Sequence, residues 1–387
     1  MKNQFKTLDR RNTDSIKWHM ARELCDCKKY YTFSVADSDY ETAPCIKNAL
    51  SKRIDHGAFG YAGKGSNYEK IIVDWYKNRY DISITENAII PIPSVLNGLS
   101  VIIDLFTNKG DNIIIQTPVY HVFKPVIEHN QRYVVENPLR VNADRYEMDF
   151  KGLETLFKNG YKTFVLCHPH NPVGRVWNAI ELKKLVDLAK KYQVLIISDE
   201  IHSDIIMPGH NFQSLIKFSK DYDQIIVISA PTKVFNIAGL KIAQILVENI
   251  RINKKIKKEY SRLHLSTPNL LAITALKAAY QNGGQWVDDQ NKHIYDNYQL
   301  IKVHLNQYDQ DFYVYHLEGT YLVWIKVNLP KIKASSFVKQ LVKYGVFLSE
   351  GKKFGVNDQY IRMSIACSKD QLIHGLRQWD QCMMDIK

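Results

Sequence analysis

The sequence predicts an α/β fold with two lobes, a large one built on a mostly parallel mixed sheet and a smaller α+β one. Three observations predict it. The chain of 387 residues is longer than a single ordinary hydrophobic core requires. From about residue 45, short apolar strands alternate with segments of helical period, which is typical of β-α-β units. After about residue 280 this alternation stops, and hairpin-forming strands and polar helices follow.

The elements of the large lobe follow from their hydrophobic period. Recurrence of apolar residues every three to four positions predicts helices, at 67–80, 95–107 and 179–192. Unbroken β-branched runs predict strands that are buried on both faces. These strands are predicted at 88–91, 111–118, 164–169, 194–200, 225–231 and 242–247.

The smaller lobe begins with a long polar helix at 284–306. Two β-rich runs then flank Glu318-Gly319, which indicates a hairpin. A helix at 335–344, two short strands and a terminal helix at 369–383 complete this lobe.

Charge and hydropathy narrow the classes of function. The formal net charge is +12, but Lys/Arg runs are short and do not alternate with aromatic residues. We therefore expect a solvated basic surface that favours small anionic ligands, and no nucleic-acid partner. The N-terminus lacks the apolar core of a signal peptide. Prolines, Asn97 and a glycine interrupt the longest apolar stretch, at 88–106, so no membrane span is predicted.

The cysteine pattern predicts neither a metal site nor a disulfide framework. The six cysteines form no C-x-x-C pair and no Cys/His metal spacing. One residue separates Cys25 from Cys27, which is a poor spacing for zinc or for a local disulfide. We expect reduced thiols and a cytoplasmic location.

Polar and turn residues follow four of the predicted strands. In an open parallel sheet the strands' carboxyl ends lie at one edge, and ligands bind beyond that edge. We therefore expect these residues to share one site: Pro118-Val119-Tyr120, His170-Asn171-Pro172, Asp199-Glu200-Ile201-His202 and Ser229-Ala230-Pro231-Thr232-Lys233.

Each of these residues suits a separate task, although each also has an ordinary structural explanation. A desolvated Lys233 would be nucleophilic toward an aldehyde, but a single lysine after a strand is more often a surface residue. Asp199 would need a cationic partner at a buried strand end, or would cap or pair within the protein. Asn171 could donate from a rigid turn or only form it, and Tyr120 could stack on a planar ring or only pack.

In combination these residues resemble the fold-type I pyridoxal-phosphate enzymes of the class I/II aminotransferase superfamily. The set includes Tyr120, Asn171-Pro172-Val173-Gly174-Arg175, Asp199-Glu200-Ile201-His202, Ser229-Ala230-Pro231-Thr232-Lys233 and Arg362. Four further runs resemble the MalY/PatB branch of cystathionine β-lyases and C–S lyases, over roughly residues 30–380. They are Val35-Ala36-Asp37-Ser38-Asp39-Tyr40, Gly57-Ala58-Phe59-Gly60-Tyr61, Phe235-Asn236-Ile237-Ala238-Gly239-Leu240 and Gly319-Thr320-Tyr321-Leu322-Val323-Trp324.

The resemblance implies a pyridoxal 5′-phosphate cofactor held by Lys233 as a Schiff base. Asp199 would keep the pyridine nitrogen protonated, Asn171 would hydrogen-bond the ring's phenolic oxygen, and Tyr120 would stack on the ring. His202 would be a further cofactor-binding residue. The catalytic residues would be Lys233, Tyr120 and Arg362. The phosphate would be bound by the backbone amides of Val95 and Leu96, by Ser229 and Thr232, and by Tyr61 of the neighbouring subunit. Arg362, Ala36 and Asn171 would bind the substrate, with Arg362 on its α-carboxylate.

The resemblance also implies the organisation of the chain. It implies the pyridoxal-phosphate-dependent transferase fold, with segment 1–45 joining the small domain 281–387, a large cofactor-binding domain at 46–280, and a homodimer with shared active sites. Two departures affect the phosphate contacts. Ser94 stands where the family usually has glycine, and Lys241 stands where many aminotransferases have arginine.

Three functions remain open at this point. The same residues support β-elimination of a thiol from cystathionine or a cysteine-type substrate, and transamination of an amino acid. Only the resemblance to the C–S lyase branch favours elimination. The resemblance also permits a third function, a cofactor-binding regulatory protein, and the side-chain specificity of the substrate is not predicted.

Overall fold

The computed structural model describes residues 5–6, 8–25, 27 and 29–386. The α-helices of the described residues are α1 Ile16–Leu24, α2 Pro44–Asp55, α3 Tyr68–Tyr80, α4 Val95–Phe106, α5 Phe123–His129, α6 Phe150–Lys158, α7 Ala179–Tyr192, α8 Ile250–Arg262, α9 Leu270–Asn282, α10 Gly284–Asn306, α11 Ala334–Lys343 and α12 Lys369–Ile386. The strands are β1 Tyr31–Thr32, β2 Ile89–Ile92, β3 Asn112–Ile115, β4 Tyr133–Glu136, β5 Arg140–Asn142, β6 Arg145–Glu147, β7 Thr163–Cys167, β8 Leu195–Asp199, β9 Ile225–Ser229, β10 Ala243–Leu246, β11 Phe312–Val314, β12 Leu322–Val327, β13 Val346–Phe347, β14 Ser349–Glu350 and β15 Tyr360–Ser364.

A seven-stranded mixed sheet forms the centre of the large lobe. Its strand order is β2-β10-β9-β8-β7-β3-β4, and β10 runs antiparallel to both of its neighbours while the other pairs are parallel. Side chains of the buried strands alternate between two cores. Ile226 and Ile228 pack with α4 and α8, whereas Ile225 and Val227 pack in the larger core on the other face. This confirms the predicted α/β fold and its mostly parallel sheet.

The small lobe is built on a four-stranded antiparallel sheet of order β11-β12-β15-β14. β11 and β12 pair as the predicted hairpin, with Phe312 opposite Val327. β1 pairs in parallel with β13, and the carbonyl of Phe33 accepts a hydrogen bond from the Ser364 amide. That segment 1–45 joins the small domain stays a prediction. The boundaries at 45/46 and 280/281 stay predictions.

The cysteines depart from the sequence-based expectation at one place. Cys25 and Cys27 form a disulfide, so the prediction that all six thiols are reduced is wrong for this pair. Their Cα atoms lie 5.2 Å apart, within the range that a disulfide spans, whereas a fully extended chain would hold them about 7 Å apart. The remaining cysteines are free thiols. None of the helices in the described part of the chain has the length and apolar character that a membrane span requires.

Candidate active site

A cavity of about 730 Å³ lies beyond the carboxyl ends of the parallel strands. Tyr120, Asn171, Asp199 and Lys233, one residue from each of the four predicted strand ends, line it together. Arg362 of β15 in the small sheet lines it as well, so the cavity lies between the two sheets. The strand-end prediction therefore brings its main residues to one place.

Lys233 follows β9 and faces this cavity. Its Nζ donates a hydrogen bond of 2.6 Å to the carbonyl oxygen of Ala36. Burial lowers the pKa of the Lys233 amine, and the positive charge of Arg362 lowers it further, while Asp37 and Asp199 raise it. The net lowering favours the neutral amine, which is the form that attacks a carbonyl carbon or accepts a proton.

Asp199 is the last residue of β8 and is 5% exposed. Its Oδ1 accepts a hydrogen bond of 3.1 Å from the Ile201 amide. Burial raises the pKa of the carboxyl to about 7, although the Ile201 amide and Lys233 act to lower it. Within the described residues Asp199 forms no ion pair, so a cation supplied by a ligand would be its partner.

Arg362 is held in the cavity wall by hydrogen bonds from both terminal nitrogens of its guanidinium. One terminal nitrogen donates to Asn171 Oδ1 at 3.0 Å, and the other donates to the Ser34 carbonyl at 2.8 Å. Its guanidinium carbon lies 4.6 Å from the ring centroid of Phe354. The buried Nε has no partner among the described residues. Burial lowers the pKa of Arg362 to about 10, so the side chain is still cationic at neutral pH and suits a carboxylate.

Two rings in the wall can contact a planar ligand. Tyr120 is held edge-on to Phe123, with centroids 5.8 Å apart, and burial raises the pKa of its hydroxyl. His202 packs edge-on to Tyr321 at 5.7 Å, and its buried Nδ1 has no partner in the described part of the chain. Burial lowers the pKa of His202 to about 3, which leaves the imidazole neutral and able to donate or accept one hydrogen bond.

The first turn of α4 lies at the edge of the cavity. Val95 and Leu96 line the cavity, and amides of a first helical turn have no partner within the helix. The Ser94 hydroxyl caps this helix by accepting from the Asn97 amide at 3.2 Å. Ser94 has φ −164°, an extended conformation open to any residue, so serine fits without strain where the family usually has glycine. Lys241 also lines the cavity and adds a basic group.

The structure brings together most of the predicted site residues. Those in the cavity wall are Ala36, Val95, Leu96, Tyr120, Asn171, Asp199, His202, Thr232, Lys233 and Arg362. Ser229 is buried at the end of β9 and lies outside this wall, and Tyr61 is fully exposed on a loop and also lies outside it. The roles assigned to individual residues, including Ser229 and Tyr61, stay predictions.

Sequence reasoning missed one side of the cavity, which we call the distal wall. It consists of Met20, Ala21 and Leu24 of α1, Val338 and Val342 of α11, and Phe347 and Leu348 beside them. A signal was present, because Ile16, Met20 and Leu24 recur at the four-residue spacing of one helix face.

Comparison with known proteins agrees with this geometry. The family model for aminotransferase class I and II matches residues 28–378. Cystathionine beta-lyase PatB of Bacillus subtilis is 33% identical over 374 residues, which cover 96% of this chain and 97% of that protein. Cystalysin from Treponema denticola, whose crystal structure contains a pyridoxal 5′-phosphate cofactor, superposes with a TM-score of 0.95 at 30% identity, covering 100% of this chain and 99% of that one. The PLP-bound C-S lyase from Staphylococcus hominis gives a TM-score of 0.90 at 28% identity, covering 98% and 97%.

Proposed function

Because the chain belongs to the aminotransferase class I and II family, we propose that it is a pyridoxal 5′-phosphate enzyme that eliminates a thiol from cystathionine or cysteine-type thioethers. The observation that carries the proposal is the placement of Lys233 and Arg362 in one cavity, since an amine with a lowered pKa and a cationic guanidinium then line the same site. The activities for which PatB and the Staphylococcus hominis C-S lyase are named support elimination.

The residues of the cavity fit the proposed cofactor. Asp199 is a buried carboxyl without an ion-pair partner among the described residues, and a protonated ring nitrogen would supply the missing cation. The amides of Val95 and Leu96, with Thr232, would hold the phosphate at the start of α4. Tyr120 and His202 would contact the ring. When bound, the cofactor supplies an electron sink that stabilises negative charge at the substrate Cα.

The side chains of the cavity then divide the remaining work. Arg362 would bind the substrate α-carboxylate, and its hydrogen bond to Asn171 would fix the guanidinium in position. Lys233, once its Nζ is free, would accept the proton from the substrate Cα. The neutral amine required for this step is favoured by the burial that lowers its pKa.

The reaction balances without a second substrate other than water. Loss of the Cα proton to Lys233 and departure of the thiolate from Cβ leave 2-aminoacrylate, which water hydrolyses to pyruvate and ammonia. Transamination would instead return the proton to the cofactor and would require a keto acid for turnover.

Incubation of the cofactor-loaded protein with cystathionine, without any keto acid, tests the proposal. Release of pyruvate in proportion to enzyme supports the lyase. If pyruvate is absent and turnover depends on an added keto acid, the protein is an aminotransferase and the proposal is wrong. If cofactor is bound and neither reaction occurs, a regulatory role is favoured.

We extend the proposal to a cytoplasmic homodimer in which Tyr61 of each subunit reaches the phosphate of the other. The support is that Tyr61 is fully exposed and Phe59 on the same loop is 59% exposed, and exposed aromatic residues are enriched at protein interfaces. Four of the six cysteines, Cys45, Cys167, Cys367 and Cys382, are free thiols, which supports a reducing compartment, whereas the Cys25–Cys27 disulfide does not. Light scattering that finds a fully active monomer would contradict the shared site.

A further inference from the structure

We propose that the distal wall is an apolar subsite for the sulfur substituent of the substrate, so that this chain prefers cysteine thioethers with a large apolar group, such as benzyl, over cystathionine. The inference rests on the proposed lyase function. It names the substrate class of the site that Lys233 and Arg362 form.

The first step is where the substrate side chain must lie. Lys233 marks the position of the substrate Cα and Arg362 that of its carboxylate. The strand ends and the start of α4 would hold the cofactor. The part of the cavity that remains is lined by α1, by α11 and by Phe347 and Leu348. A total volume of about 730 Å³ is in the range that accommodates drug-sized ligands, so an extended side chain can fit beside the cofactor.

The second step is the character of this wall. Ala21, Val338, Phe347 and Leu348 are buried and form an apolar surface. Above it, Met20 is 45% exposed and Leu24 is 63% exposed, one turn apart on the same face of α1. Grouped large apolar side chains that stay exposed mark binding surfaces. Since Met20 and Leu24 share the cavity with Lys233 and Arg362, the occupant that would cover them is the group carried by the substrate.

The third step compares how tightly the cavity would hold an apolar sulfur substituent and the charged one of cystathionine. The distal ammonium and carboxylate of cystathionine would need charged partners, and the cavity offers Lys339, Glu350 and Lys353. Both lysines are exposed and Glu350 is only half-buried, and exposed ion pairs change affinity by at most about fivefold. A single methylene in an apolar pocket changes specificity by roughly 10- to 200-fold. The apolar contact is therefore the larger effect.

The test measures kcat/KM of the cofactor-loaded enzyme for S-benzyl-L-cysteine, S-methyl-L-cysteine and L-cystathionine. We expect the S-benzyl value to exceed each of the others at least tenfold. Met20→Glu and Leu24→Glu should each lower the ratio of S-benzyl to S-methyl kcat/KM at least tenfold, mainly through KM. The matched control is Ile16→Glu, the same change on the same helix at a position that is 71% exposed and outside the cavity wall, and it should leave this ratio as it is.

A binding measurement separates this inference from the lyase proposal. 2-Amino-5-phenylpentanoate and norvaline replace the sulfur of the two thioethers with methylene and cannot undergo thiol elimination. By calorimetry, without a keto acid, the phenyl compound should bind at least tenfold more tightly, and Leu24→Glu should remove the difference. Absence of pyruvate from every thioether, with this binding order intact, would overturn the lyase function and keep the subsite.

Three results would overturn the subsite. One is a preference for cystathionine over S-benzyl-L-cysteine, which would mean that the wall recognises a zwitterion. Another is an unchanged S-benzyl to S-methyl ratio in both Met20→Glu and Leu24→Glu. The third is an equal loss in Ile16→Glu, which would show that this face of α1 acts through contact between subunits.

Discussion

A buried ion pair holds helix α1, which carries part of the distal wall. Removing this ion pair should lower the stability of the protein by a predictable amount. Lys17 Nζ lies 2.7 Å from Asp39 Oδ2, and the two side chains are 1% and 0% exposed. Lys17→Met keeps the length of the apolar stem and removes the charge. Loss of one partner of a buried pair costs about 3–5 kcal/mol. Since Arg10 remains 3.8 Å from Asp39, and Trp18 and Gln371 still donate to it, we expect the lower end, about 3 kcal/mol.

Calorimetry of the cofactor-loaded protein can detect this change. For a chain of 387 residues the unfolding entropy is about 0.8 kcal/mol per kelvin, so the midpoint should fall by about 4 °C. The control is Lys70→Met, which removes an exposed pair in which Lys70 and Asp74 are 64% and 50% exposed, and it should shift the midpoint by about 1 °C or less. Equal shifts in the two lysine variants would refute the reasoning.

Further predictions concern the cavity. Lys233→Ala should abolish the cofactor that borohydride fixes covalently in the wild-type protein; fixed cofactor found by mass spectrometry on another lysine would contradict the assignment. Arg362→Lys should raise KM by about tenfold or more with a smaller change in kcat, because lysine cannot form a bidentate pair with a carboxylate; an unchanged KM would place the carboxylate elsewhere. In the cofactor-free folded protein, Asp199 keeps its proton up to about pH 7, whereas in the unfolded chain it loses the proton near pH 4. The free energy of unfolding should therefore fall as the pH rises between these two values, by up to about 4 kcal/mol. Asp199→Asn should make the melting temperature fall less steeply over this interval, and an identical slope in both proteins would refute the role of Asp199.

The elements that the sequence predicted best have local signals at both ends. The predicted helix at 179–192 matches α7, since Asn178 and Glu181 form a capping box at its start and Gln193 ends it in a left-handed conformation. The helix at 284–306 is also confirmed. By contrast, α9 was missed, because it contacts α2, α3 and α10 and its residues are apolar almost all round, which removes the helical period.

The sequence could predict that the strand-end residues share one site, because this holds for any order of the strands in a parallel sheet. Any parallel arrangement brings the residues after β7, β8 and β9 to one edge. Ser229 is the last residue of β9, just as Asp199 is the last residue of β8, but side chains alternate along a strand and the two point to different faces of the sheet. That alternation places Ser229 on the same face as Val227, which packs in the larger core. The apolar face of α1 had a local signal in its four-residue spacing, but its position in the distal wall did not, since α1 and α11 lie more than 300 residues apart in sequence.

Burial shifts the pKa values of Lys233 and Asp199 in opposite directions, and both shifts suit the same cofactor. It lowers the pKa of Lys233, which shifts the amine toward the neutral form that acts as a nucleophile and base. It raises the pKa of Asp199, which makes an unpaired carboxylate unfavourable there. A ligand with a cationic nitrogen beside Asp199 would restore the carboxylate, and the same ligand's aldehyde would consume the neutral amine. Without a ligand, Asp199 lacks a cationic partner among the described residues and Lys233 lacks a carbonyl to attack. A planar ring with a cationic nitrogen at one end and an aldehyde at the other would supply both.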